Sequence, residues 1–223
     1  MNMTKKAVIF DLDGTLLDTL DDLSEAVNYI LKKYSMPPRN AREVRSFLGN
    51  GARELMRHSL PGTVSEEELD RYLDEYKKYY NAHSKIMTKP YPGVIQLLEE
   101  LSENGIATAV VSNKPDEATR SLCEEYFGTR ISYAIGDRAG VQRKPSAEPV
   151  RLAMDALGCD RAVYVGDSEV DVLTAKNAGL PSISLTWGFR DKDLLLESGA
   201  DHFADNAEDL KALIYRLLSD CED

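Results

Sequence analysis

Ala7-Val8-Ile9-Phe10 is an unbroken apolar run, and it stops at Asp11-Leu12-Asp13-Gly14. Apolar residues without alternation are what a strand buried on both faces requires. Such strands belong to parallel sheets covered by helices on either side. On an extended chain, residues i and i+2 point the same way. Asp11 and Asp13 therefore share one side of the chain at the strand's carboxyl end, where open α/β sheets bind their ligands. An isolated Asp-x-Asp pair before a glycine is usually a solvated turn. Fusion to a buried strand, followed by Thr15-Leu16-Leu17-Asp18-Thr19, favours a site.

After this strand the pattern turns helical. Asp18 is a suitable N-cap, with Asp21 and Asp22 in the first turn. Leu23, Ala26, Val27, Ile30, Leu31 and Tyr34 recur at helical spacing until Pro37-Pro38. Short helices are predicted over 41–47 and 52–60, separated by the turn Leu48-Gly49-Asn50-Gly51. Ser65 and Glu68 form a capping box that opens an amphipathic helix through Leu69, Tyr72, Tyr76 and Tyr80, whose tyrosines are expected to pack. Beyond Pro90-Tyr91-Pro92-Gly93, helices and strands alternate. Strands are predicted over 106–111, 131–135, 163–165 and 182–185, and helices over 94–103, 115–126, 149–157, 169–178 and 207–218. Alternation of this kind implies an α/β fold, a Rossmann-like doubly wound parallel sheet. The first strand is separated from the others by a purely helical stretch. The economical division is a core of residues 1–18 and 88–223 with a helical module, 19–87, inserted.

The net charge of −11 argues against nucleic acid or an anionic membrane as partner. Cys123, Cys159 and Cys221 are widely spaced and odd in number, which supports neither a disulfide framework nor a zinc site. No apolar run is long enough to span a membrane, and the N-terminal apolar run is too short for a signal peptide. The expected setting is cytoplasmic, as a monomer or homodimer.

Four polar clusters follow strands or lie between them: Asp11 to Thr15, Ser112-Asn113-Lys114, Arg143-Lys144-Pro145, and Gly166-Asp167-Ser168-Glu169-Val170-Asp171. Each alone has an ordinary explanation as a helix start or a surface group. Strand ends of a parallel sheet converge on one edge, so together they bring Asp11, Asp13, Asp167 and Asp171 towards one pocket. Two carboxylates ~4 Å apart repel by roughly 4 kcal/mol at an effective dielectric of about 20. The group needs a cation, and oxygen ligands suit magnesium. Ser112 and Lys144 would then hold phosphate oxygens.

In these clusters and their order the chain resembles the haloacid dehalogenase superfamily over nearly its whole length. The resemblance implies that Asp11 is the nucleophile that forms an aspartyl-phosphate and that Asp13 is the general acid and base. It implies Mg2+ held by Asp11, the backbone carbonyl of Asp13, and Asp167, with Asp171 in support. Ser112 and Lys144 become the phosphate clamp, with Thr15 and Asn113 as further substrate-binding candidates, and the inserted helices become a cap that closes over the core. Asp13 disfavours the dehalogenase and phosphonatase branches, and Leu23, standing where sugar phosphomutases carry a histidine, disfavours a mutase. Leu48-Gly49-Asn50-Gly51-Ala52-Arg53 looks like phosphoglycolate phosphatases, with Asn50 and Arg53 as candidates to meet substrate. Related pyrophosphatases and nucleotidases share much of this pattern. The implied substrate is a small phosphorylated metabolite; a non-catalytic binding protein on the same fold is the alternative of another class. Trp187-Gly188-Phe189-Arg190 is expected to pack rather than to line the rim, and His58, His83 and His202 match no catalytic arrangement.

Overall fold

The computed structural model describes residues 5–219. Strand β1 (Lys6–Phe10) lies inside a six-stranded sheet. On one side it pairs with β4 (Ala107–Pro115), which pairs with β5 (Tyr133–Asp137); on the other it pairs with β6 (Arg161–Gly166), followed by β7 (Ser182–Leu185) and β8 (Phe203–Ala204). Every pairing is parallel. Phe10 stands opposite Val110 and Val165, so these positions of the three central strands lie at one level. Alternate residues of β1 feed two separate cores. Val8 and Phe10 pack with α5 (Val94–Glu103), α6 (Asp116–Phe127) and α10 (Ala207–Ser219). Ala7 and Ile9 pack with α7 (Glu148–Leu157) and α8 (Glu169–Ala178). Burial on both faces is the physical reason the run has no polar residue.

Four helices, α1 (Leu20–Lys33), α2 (Ala41–Phe47), α3 (Gly51–Ser59) and α4 (Glu66–His83), surround a further apolar cluster that includes Val27, Ile30, Val44, Met56, Leu69 and Tyr76. The capping box expected at Ser65 and Glu68 is present, and Asn40 with Glu43 forms another. Where the chain leaves and rejoins the sheet layer, β2 (Leu17–Asp18) pairs antiparallel with β3 (Lys89–Pro90).

That ribbon corrects the N-cap expected at Asp18. Asp18 pairs with Lys89, and Thr19 becomes the residue before α1. Strand β4 runs past Val111 to Pro115, because Ser112, Asn113 and Lys114 are themselves buried. The short α9 (Lys192–Glu197) and two-residue β8 carry too little periodicity to be read from sequence. Cys123 and Cys159 are buried and free, while Cys221 lies outside the described residues. Among the described residues no helix is long and apolar enough to cross a membrane.

Candidate active site

The central strand ends meet in a cleft between the sheet and the helical unit. It is lined by Asp11, Asp13, Ser112, Asn113, Lys114, Lys144 and Asp167 from the sheet side, and by Leu23, Leu48, Leu55, Tyr76, Lys77 and Tyr80 from the helices. Extended geometry sets the first pair: Asp11 donates its backbone N–H to Val165 (2.9 Å), and Asp13 follows on the same side. Gly14, at φ +82°, then turns the chain over Asp167; a Cβ there would lie 2.4 Å from Asp167 Oδ2.

Lys144 is buried and central to the charge arrangement. Its ammonium lies 2.8 Å from Asp11 Oδ1 and 2.8 Å from Asp171 Oδ1. Burial opposes its charge, but Asp11 and Asp171 raise its pKa well above the usual lysine value. The two aspartates differ. Asp171 accepts hydrogen bonds from Lys144, Tyr164 Oη (3.0 Å), Ser168 N (3.1 Å) and Ser168 Oγ (2.5 Å). Burial works against its charge, yet these donors hold it below the usual carboxylate range. Among the described residues Asp11 has only the ion pair with Lys144, without a well-directed hydrogen bond to Oδ1. Burial pushes it up to about 7 despite Lys144. Asp167 accepts from Thr15 Oγ1 (2.9 Å) and Phe189 N (2.7 Å), and burial raises it well above its ordinary value.

Asp11, Asp167 and Asp171 can each present an oxygen within 4.8 Å of one another. Three buried carboxylates and an orphaned oxygen on Asp11 are the donor set of a hard cation, so the residues fit a divalent ion. Asp171 accepts from Lys144, Tyr164 and Ser168, whereas Asp167 accepts one hydrogen bond on each oxygen and Asp11 meets Lys144, so Asp11 and Asp167 keep more acceptor capacity for an ion.

Several sequence expectations are corrected. Thr15 is fully buried and holds Asp167, so it faces the carboxylate rather than the cleft. Arg53 is held within the helical unit by Glu66 (2.6 Å) and Asp70 (2.5 Å) and does not line the cleft. Asn50 is exposed between Gly49 and Gly51; its carbonyl accepts from Arg143 (3.3 Å), and its glycine neighbours line the cleft in its place. Asn113 lines the cleft while its amide donates to the carbonyls of Gly49 and Lys144 (both 3.1 Å). Tyr76 and Tyr80 do more than pack: both also line the cleft, their rings parallel at 5.9 Å. Trp187 packs as expected and donates to the Thr15 carbonyl (3.3 Å). Phe189 and Arg190, however, join the two layers. Phe189 enters the helical core, and the buried Arg190 pairs with Glu169 (2.7 Å) and donates to the carbonyls of Arg45 (3.2 Å) and Leu48 (2.5 Å). None of the three histidines lines the cleft.

Two residues take roles that the sequence analysis does not assign them. Lys114 donates to both oxygens of Asp13, at 2.8 and 2.9 Å. Its signal was available: Ser112 and Lys114 stand i and i+2 on one strand, so if one faces the site, both do. Asp22 is buried and accepts from the backbone N–H groups of Ile86, Met87 and Thr88. Nothing local distinguishes it from an ordinary first-turn acid.

Comparison with known proteins supplies the family. The model for haloacid dehalogenase-like hydrolases matches residues 8–185. Phosphoglycolate phosphatase 1 of Pseudomonas aeruginosa is 36% identical over 213 residues, covering 92% of this chain and 78% of its own. The N-acetylmuramic acid 6-phosphate phosphatase of the same organism is 29% identical over 228 residues, covering 98% and 99%. A crystal structure from Lactobacillus delbrueckii subsp. bulgaricus, of a protein provisionally named a phosphoglycolate phosphatase, superposes with a TM-score of 0.89 at 35% identity, covering 95% of this chain and 99% of that one. With its Asp-x-Asp strand end, its buried acidic cluster and these relatives, the chain belongs to the haloacid dehalogenase-like hydrolases, as a phosphatase of that family.

Proposed function

We propose that this enzyme is a Mg2+-dependent hydrolase of a small phosphomonoester, with 2-phosphoglycolate as the leading substrate, working through an aspartyl-phosphate on Asp11. One observation carries the reading: Asp11 is a buried carboxylate at a cleft, with the Lys144 ammonium against it and a second buried carboxylate, Asp167, close by. Asp11 attacks phosphorus as the bond to the leaving oxygen breaks. Asp13 gives that oxygen its proton, then takes one from the water that hydrolyses the acyl phosphate. Ser112 and Lys144 hold the phosphoryl oxygens, and Lys144 offsets charge on Asp11. Magnesium, held by Asp11, Asp167 and the Asp13 carbonyl, would neutralise developing charge on the phosphoryl group. Asp171 supports this arrangement by fixing Lys144. Helices α1–α4 act as the cap that excludes water, hinged at the β2–β3 ribbon. The choice of 2-phosphoglycolate follows the named relatives.

The test is phosphate release from 2-phosphoglycolate, N-acetylmuramic acid 6-phosphate, p-nitrophenyl phosphate and sugar phosphates, with magnesium and with EDTA. Release that needs magnesium, highest kcat/KM on 2-phosphoglycolate, is expected. Isomerised sugar phosphate, or no release from any ester, would overturn it.

A further inference from the structure

We infer that Lys114 is the specificity-determining residue of this site: it holds Asp13 until a substrate with a second anionic group beside the ester oxygen takes its place. The inference rests on the phosphatase reading above.

The Lys114 side chain is 3% exposed, and its ammonium meets both oxygens of one carboxylate, Asp13. Its other neighbour is the ring of Tyr80, 4.5 Å away, whose buried hydroxyl has no hydrogen-bond partner. Among the described residues no other carboxylate pairs with Lys114. A buried ammonium left without a counterion is strongly unfavourable. Asp13 therefore cannot leave Lys114 for the leaving oxygen unless another anion takes its place.

A substrate carboxylate resolves that constraint. Lys114 shifts its hydrogen bonds from Asp13 to that carboxylate. Asp13, freed, takes one proton from solvent and delivers it to the leaving oxygen as the phosphorus–oxygen bond breaks and the Asp11–phosphorus bond forms. Charge beside Lys114 is conserved across the exchange. Reach limits the substrate. Before the exchange the ammonium lies 2.8 Å from the carboxylate that must meet the leaving oxygen, so the anion that replaces Asp13 enters close to that oxygen. The second anion must then sit on a two- or three-carbon leaving group, as in phosphorylated short hydroxy acids, and not at the far end of a sugar. The other cations at the cleft are less suited. Lys144 serves Asp11 and Asp171, and Arg190 serves Glu169. Lys77, on α4, is half-buried and unpaired among the described residues, and it is the competing anchor.

Ethyl phosphate is the test probe, since it matches 2-phosphoglycolate in length and lacks only the carboxylate. Wild type is expected to prefer 2-phosphoglycolate by at least about 100-fold in kcat/KM. Lys114→Met should collapse that ratio to within about fivefold, with ethyl phosphate turnover rising as Asp13 is freed. Lys114→Arg, which keeps the charge and guards against a folding defect, should retain most of the preference. Equal kcat/KM for the two esters in wild type would overturn the inference and leave the phosphatase reading intact; no release from either would overturn both. An equal fall on both esters in Lys114→Met, or collapse of the ratio in Lys77→Ala instead, would also overturn it.

Discussion

Gly188 has no unusual backbone angle, yet no side chain fits there. A Cβ would lie 2.2 Å from the Cβ of Asp167, and the next residue's N–H is one of the two donors that aim that carboxylate. Gly188→Ala is expected to cost about 1–3 kcal/mol by overpacking. It should also weaken magnesium binding by displacing Asp167, read by melting in EDTA and by calorimetric titration of the metal. Asp11→Asn should lower kcat by at least about 10⁴-fold. Its melting temperature in EDTA should move by less than about 4 °C, because an amide avoids burying a charge and Lys144 keeps Asp171. That Asp11, Asp13, Ser112, Lys144, Asp167 and Asp171 gather at the strand ends was legible because each follows a strand or sits in a motif with fixed spacing. Thr15 and Arg53 were misjudged because sequence gives proximity but not direction: Thr15 turns towards Asp167, and Arg53 finds two nearer carboxylates on α4.

At the scale of elements, the join between the helical unit and the sheet is made of polar clasps. Asp22 gathers three backbone N–H groups and the hydroxyl of Thr88 where the chain returns from α4. Bonds to an ionised acceptor contribute about 1.5–3 kcal/mol each and are not additive. Asp22→Ala should therefore destabilise by about 3 kcal/mol, seen as a lower urea midpoint with an unchanged slope. On the other side, Arg190 ties Glu169 to the carbonyls that end α2. Arg190→Met should raise KM more than it lowers kcat, because it loosens closure without touching Asp11 or Asp13; steady-state kinetics on 2-phosphoglycolate reads the split. Helix positions were readable from periodicity, and α8 and β7 fall where expected. The clasps were not, since each links residues over sixty or more positions apart through a single side chain.

Across the whole molecule, burying acids links stability to pH and metal. Asp11 and Asp167 hold protons more tightly when folded than in an unfolded chain. Without metal the folded state therefore binds more protons, and stability falls as pH rises from 3.8 through about 7. Asp171 has the opposite sign, but its contribution is lost only as pH falls below 3.8. In EDTA the melting temperature should drop between pH 5 and pH 8. Magnesium binds the ionised form, so it should restore stability most at pH 8, by about 5 °C or more. A melting temperature in EDTA that rises over this interval would contradict the assignment of these two acids.

The apolar run Ala7–Phe10 and the alternation that follows it were enough to determine a parallel sheet, because burial on two faces leaves a one-dimensional signature. The spacing of Asp11 and Asp13 likewise determined that both belong to one strand end. Which oxygen meets which ammonium was decided only in three dimensions. Lys144 takes Asp11 and Asp171, while Lys114 takes Asp13. Such pairings depend on the register between strands and on which buried charges lie within hydrogen-bond reach, and neither distance is encoded by position along the chain.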